Sequence, residues 1–351
     1  MSEINIPLLK QICEIPGAPG FEQRIRQFIL SQLNGLADEV TTDALGNITA
    51  IRKGKADKKV MIAAHMDEIS FIVTHVDENG FIKFHTLGGF DGKTLTAQRV
   101  IIHGKEDVVG VLGTKPIHVL TPEEKNKAPK TTDFFIDTGL PAEKVKELIN
   151  IGDPITRERG LIEMGECVNS KSIDNRVSVF ILLEALKAIK GKELPYDVYG
   201  VFTVQEEVGL RGAMTAASGI DPDFGIALDV TMAYDLPGAA PHEMVTELGK
   251  GTAIKVMDGS TICDYRMVNF MKKVAEENSI EYQLEVLTAG GTDTAGIQRY
   301  SKGGAIAGAI SIPTRYLHQV IEMAHKKDIQ LTIDLLSGCL LELDQYDWRF
   351  K

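Results

Sequence analysis

Apolar positions along the chain change their rhythm twice. The opening stretch predicts a helix, a turn at Pro16-Gly17-Ala18-Pro19-Gly20, and a second helix whose Ile25, Phe28, Ile29 and Leu33 recur at helical spacing. Two short strands are expected over 38–43 and 47–52. Val60-Met61-Ile62-Ala63-Ala64 then runs apolar without alternation up to His65, as in a parallel strand buried on both faces. From 69 to 161 the texture turns to short β-like pieces separated by glycine-containing turns. These are Phe71-Ile72-Val73, Phe81-Ile82-Lys83-Phe84, Val100-Ile101-Ile102 and Val108–Leu112, a spacing that suggests a small barrel or sandwich. The polar stretch Thr121–Lys130 among them reads as a mobile loop.

Beyond 162 strands and helices alternate again. Helices are expected over 176–190, 211–218, 264–278 and 293–300, and strands over 198–204, 224–228, 252–257, 282–287 and 305–310. A last helix begins after 326, with Leu335, Leu336, Leu340 and Leu343 on one face. This alternation predicts an α/β fold: a three-layer, mostly parallel sheet with helices on both sides. The division that follows is 1–68 with 162–351 as one α/β domain, split by an inserted small β-barrel at 69–161.

Composition narrows the function classes. The chain has 351 residues, 38 Lys+Arg and 49 Asp+Glu, for a formal charge of −11. No basic run accompanies that surplus, which argues against nucleic acid as a partner. No apolar stretch approaches the roughly 18–20 residues that span a bilayer, and the acidic first residues do not resemble a signal peptide. Cys13, Cys167, Cys263 and Cys339 form no CxxC pair, so neither a disulfide framework nor a thiolate metal cluster is indicated. A cytoplasmic location is the expectation.

The candidate chemistry gathers at strand ends. Open α/β sheets bind ligands at the carboxyl ends of their strands. There the expected strands deliver His65-Met66-Asp67, Glu206-Glu207, Asp229 and, after the last one, His318, while Asp174 precedes the long helix. Singly these residues are ordinary. A histidine after a strand is usually structural, as His75, His85, His103, His118, His242 and His325 are taken to be. Asp174 alone would be a helix cap. Together, Asp174, Glu206, Glu207 and Asp229 put up to four negative charges in one cleft. Two unit charges about 4 Å apart repel by about 4 kcal/mol at an effective dielectric of 20. Such a cluster must protonate or bind cations. Two divalent ions balance it, and mixed imidazole and carboxylate donors suit zinc, with cobalt or manganese as substitutes.

At these residues the sequence resembles the dinuclear metallo-aminopeptidases of the tetrahedral (TET) type, which include glutamyl aminopeptidases and the CelM and FrvX proteins. The matching segments are His65-Met66-Asp67-Glu68, Lys171–Arg176, Val204–Ala213, Ala227–Thr231, Gly249-Lys250-Gly251, Ala289–Asp293 and Arg315–His318. Gln319-Val320 depart from the family's frequent Ser-Pro at that place. The resemblance implies a phosphorylase/hydrolase-like catalytic domain and a barrel used for dimerisation, with dimers assembling into a dodecamer. It implies two divalent metal ions per subunit, with His65 and Asp229 at one, Glu207 and His318 at the other, and Asp174 bridging. Glu206 would be the general base, and Asp67 would orient His65. The substrates implied are peptides with a free N-terminus.

Other amide hydrolases, deacylases or carboxypeptidases, could use the same two-metal core. An endoglucanase would need two carboxylates flanking a sugar bond and no metal. That leaves His65, Asp174, Asp229 and His318 without a task, and aromatic residues are only 6%, with Trp348 the single tryptophan. Gly290-Gly291-Thr292-Asp293 is expected to line the pocket. Asp293 could meet a basic side chain, the substrate amine or its own helix. Arg315 could recognise an acidic side chain or pair with a carboxylate.

Overall fold

A computed structural model describes residues 4–350. The expected parallel run forms the centre of a mixed sheet. Tyr196–Thr203, Ala56–His65, Phe224–Met232 and Ile306–Arg315 lie side by side and parallel in that order. Towards one edge Ile48–Arg52 and Glu39–Thr42 add antiparallel; towards the other, Glu322–His325, Cys167–Ser170 and Ile162–Met164 do the same. Thr252–Met257 pairs antiparallel with the Ile306–Arg315 strand and parallel with Tyr282–Val286.

Alternate residues of the central strands enter two different cores, which is why that run is apolar without a break. Val60, Ile62 and Ala64 pack in a core with helices Ile6–Glu14, Ile173–Ala188, Tyr265–Glu277 and Lys326–Glu342. Met61 and Ala63 pack in a second core with Ala216 and Ala217 of helix Arg211–Ile220 and Ile297 of helix Asp293–Tyr300. The result is three layers.

Six strands, Ser70–Val76, Ile82–Leu87, Phe135–Asp137, Asp107–Gly113, Arg99–His103 and Pro154–Arg157, close into a barrel. Its own core holds Phe71, Val73, Ile82, Val100, Ile102, Ile136 and Ile155. The Thr121–Lys130 stretch differs from the loop expected of it. Thr121 caps a short helix, Pro122–Lys125: its hydroxyl accepts from the Glu124 amide, and Glu124 in turn accepts from the Thr121 amide.

Two element ends matter for the site. The strand expected to stop at 228 continues to Met232, but its pairing with Ala56–His65 ends at Leu228–Ala64. Asp229 thus leaves the shared ladder on that side. The Ile173–Ala188 helix starts irregularly, with Asp174 at φ −74°, ψ 107° and Asn175 at φ −120°, ψ 35°, and the peptide between them is cis. Among the described residues no helix is long and apolar enough to cross a membrane.

Candidate active site

The four parallel strands point their carboxyl ends at one cleft of 360 Å³. His65, Asp174, Glu206, Glu207, Asp229 and His318 all line it, together with Gly290 and Gly291. His65 is the last residue of its strand, in register with Thr203, so Gln205-Glu206-Glu207 emerge beside it. Residues from five separate segments, 65 to 318, therefore meet at one sheet edge.

Asp174 sits at the middle. Its Oδ1 is 3.4 Å from His65 Nε2 and its Oδ2 is 3.4 Å from His318 Nε2. Around His65 Nε2, Glu206 Oε2 lies at 3.7 Å and Asp229 Oδ1 at 3.8 Å, while Glu207 Oε2 is 3.8 Å from His318 Nε2. Two atoms each about 2.1 Å from a zinc ion in a tetrahedral array would stand about 3.4 Å apart. The donor separations therefore fit cations held between these groups. Two sets of three, His65–Glu206–Asp229 and His65–Asp174–Glu207, have ligand atoms mutually within 4.8 Å. Glu207 Oε1 is buried without a hydrogen-bond partner, a free acceptor that suits a cation ligand.

Proton affinities in the cleft follow from its burial and its crowded charges. Burial raises Glu207 to about 8, with Asp174 adding to the effect. Burial also pushes Glu206 and Asp229 well above the usual carboxylate range, against the pull of His65. Burial opposes charge on His318, yet Asp174 and Glu207 raise it to about 10; Glu206, Asp174 and Asp67 likewise hold His65 well up.

The supports around these groups are backbone groups and buried carboxylates. His318 Nδ1 lies 2.9 Å from the Gly89 carbonyl, which leaves Nε2 facing the cleft. Asp229 Oδ1 accepts from the Val230 amide at 2.8 Å. The Asp174 amide donates to Glu322 Oε2 at 2.9 Å, and Asn175 Nδ2 donates to the Leu228 carbonyl at 2.9 Å. Asp67 Oδ1 is 3.4 Å from His65 Nδ1, but its hydrogen bonds go elsewhere, to the amides of Glu206 (3.1 Å) and Glu207 (3.2 Å).

The residues left open by sequence resolve differently. Arg315 pairs in bidentate fashion with Asp235, at 2.6 and 2.7 Å, and does not line the cleft. Asp293 is buried behind the cleft, accepts from the Thr203 hydroxyl, and is raised to about 6, chiefly by burial. Sequence reasoning missed Glu322 and the buried Lys171–Glu68 ion pair, in which Nζ reaches both Glu68 oxygens at 2.7 Å. Glu68 and Lys171 both stand inside matched motifs, which was the available signal; Glu322 carried none. Lys255 and Asp258 also line the cleft, 3.5 Å apart, with Lys255 further bound to Glu285.

Known proteins resemble the chain along nearly its whole length. A family model described as M42 glutamyl aminopeptidase matches residues 46–335. The lysyl aminopeptidase of Pyrococcus furiosus is 34% identical over 98% of this chain and 99% of its own. A TET aminopeptidase from the marine sediment archaeon Thaumarchaeota archaeon SCGC AB-539-E09 superposes with a TM-score of 0.93 at 37% identity, covering 96% of both chains. The TET1 peptidase of Pyrococcus horikoshii, described as able to assemble into a tetrahedron or a large octahedral shell, gives 0.87 at 32% identity over 96% of this chain and 99% of that one. With the family model spanning most of its length and relatives aligned almost end to end, the chain belongs to the M42 glutamyl aminopeptidase family.

Proposed function

We propose that this protein is a metal-dependent aminopeptidase that removes N-terminal residues from peptides, with Glu206 as general base. Two divalent ions, zinc in the first place, would be held by His65 and Asp229 on one side and Glu207 and His318 on the other, sharing Asp174. The observation that carries this reading is the position of Asp174, whose two oxygens each stand 3.4 Å from a different imidazole. Bound divalent ions would supply the Lewis acidity that polarises a scissile carbonyl and lowers the pKa of attacking water.

The chain's own groups do the rest. Glu206 is placed to take a proton from that water and to return it to the leaving amine. Asp67 fixes the backbone of both glutamates, so their side chains keep separate tasks. Burial raises the proton affinity of Glu206, which suits it to accept a proton from water.

The same reading assigns 69–161 as an inserted barrel for dimerisation and 1–68 with 162–351 as the catalytic domain. Val109, Val111, Ile117 and Val119 are exposed apolar residues in or next to the barrel, at 56%, 46%, 64% and 59%, and support an interface between copies of the chain. Assembly of dimers into a dodecamer and a cytoplasmic setting belong to this proposal as well.

Glu206→Gln tests the assignment. Metal content should stay at two ions per chain, while kcat should fall about 10²–10⁴-fold. Loss of one ion together with activity would instead make Glu206 a ligand, as its 3.7 Å approach to His65 allows. Chelation should abolish hydrolysis of a peptide with a free amine, and zinc or cobalt should restore it. An N-acetylated twin hydrolysed equally fast would move the reading to another amide hydrolase.

A further inference from the structure

The strand Tyr196–Thr203 ends just before the two cleft glutamates, and the chain there loses its ladder partners. Four successive amides follow. Val204 N donates to Asn47 Oδ1 at 3.0 Å, Gln205 N to Glu22 Oε1 at 3.2 Å, Glu206 N to Asp67 Oδ1 at 3.1 Å, and Glu207 N to Asp67 Oδ2 at 3.2 Å. All three acceptor side chains are buried, and each arrives from a different segment. A backbone run with no sheet or helix to satisfy it is thus held, amide by amide, by side chains.

Gln205 is the weak point of this run. Its φ of 53° places it in the left-handed region, which disfavours residues with a side chain. That conformation turns the chain so that Glu206 and Glu207 reach the cleft on either side of Asp174. Asp67 alone cannot impose it, because both of its oxygens are taken by the next two amides. Glu22 supplies the missing restraint. It stands at the start of the Gln23–Gln32 helix, 2% exposed, and its Oε1 is itself fixed by the Gly20 amide at 2.8 Å.

We propose that Glu22 is a positioning residue for the reaction: by accepting the Gln205 amide it holds the left-handed turn that aims Glu206 and Glu207 into the cleft. The proposal rests on the aminopeptidase reading for the roles of those two glutamates, but not for the turn itself. It requires an acceptor oxygen at this place, and it does not require a negative charge.

The test compares Glu22→Ala, Glu22→Gln and Glu22→Asp in the full chain, with Glu206→Gln as a control. Hydrogen exchange followed by mass spectrometry reads the turn directly, and steady-state kinetics with a free-amine peptide read its consequence. In E22A, exchange in the segment containing 204–207 should quicken at least about ten-fold. Its kcat should fall about 10–100-fold while KM stays within about two-fold, the loss expected when reacting groups shift by about 1 Å. E22Q keeps Oε1 and should stay within about two-fold of the parent in both readouts. E22D, one methylene shorter, should fall between them, and it carries the test if E22A does not fold. Unchanged exchange in E22A overturns the proposal, as does faster exchange with unchanged kcat, or an E22Q as impaired as E22A. A fully active Glu206→Gln retires the base assignment instead, while the exchange data still report on the turn.

Discussion

Asp174 holds its carboxylate between two imidazoles while its own amide is tied to Glu322. Burial works against charge on it, yet hydrogen bonds and attraction from His318 and His65 keep its pKa below the usual carboxylate range. It therefore remains anionic where Glu206, Glu207 and Asp229 hold protons more tightly. Asp174→Asn keeps the shape and removes that charge. Metal content, measured by elemental analysis, should drop from two ions to at most one per chain, and kcat should fall at least about 100-fold, because on the proposed reading one side chain serves both metal positions. Much at this scale was legible in the sequence: His65, Asp174, Glu206, Glu207, Asp229 and His318 all fall where an α/β sheet exposes its strand ends. Asp67 was expected to orient His65; it lies 3.4 Å from His65 Nδ1, but its hydrogen bonds run to the amides of Glu206 and Glu207, a pairing that no local spacing encodes.

Elements bring these residues together through their ends, and the ends are what pattern reads least well. The strand containing Asp229 runs on to Met232 because its pairing with Ile306–Arg315 continues after that with Ala56–His65 has stopped. The helix after Asp174 starts late because Asp174 and Asn175 have other hydrogen-bond partners, Glu322 and the Leu228 carbonyl. Gly212, in the first turn of helix Arg211–Ile220, shows how tightly such ends are packed. A Cβ there would stand 2.4 Å from both Asn47 Oδ1 and the Val204 carbonyl oxygen. Gly212→Ala should destabilise the fold by about 1–3 kcal/mol in chemical denaturation, the usual range for overpacking. It should also lower kcat, since Asn47 would be pushed from the Val204 amide that leads into the glutamates.

At the scale of the whole molecule, the cleft couples stability to pH and metal. Buried Glu207 is raised to about 8 and His318 to about 10, so the folded, metal-free chain binds protons that the unfolded chain releases. For Glu207 the unfolded group ionises near pH 4.5. Stability from retaining its proton is therefore complete below that pH and is lost as pH rises towards 8. For His318 the contribution is present below pH 6.5 and disappears as pH climbs towards 10. Both run in the same direction. The thermal midpoint of chelated protein should therefore decline between pH 5 and 8, and added zinc should raise it more at pH 8 than at pH 5. A midpoint shift equal at the two pH values would contradict exchange of protons for metal at these groups.

Periodicity and composition by themselves determined the α/β alternation, the β-rich interval from 69 to 161, and the acids and histidines at strand ends. Each depends on local chain geometry or on the need of buried faces to be apolar. Tertiary structure decided which carboxylate stands beside which imidazole, that Arg315 is occupied by Asp235, and that Glu22, Asn47 and Asp67 jointly carry four amides. Those contacts join residues up to 183 positions apart. Their partners follow from the folding of strands into one sheet, because a hydrogen bond is set by distance and angle in space and leaves no period along the chain.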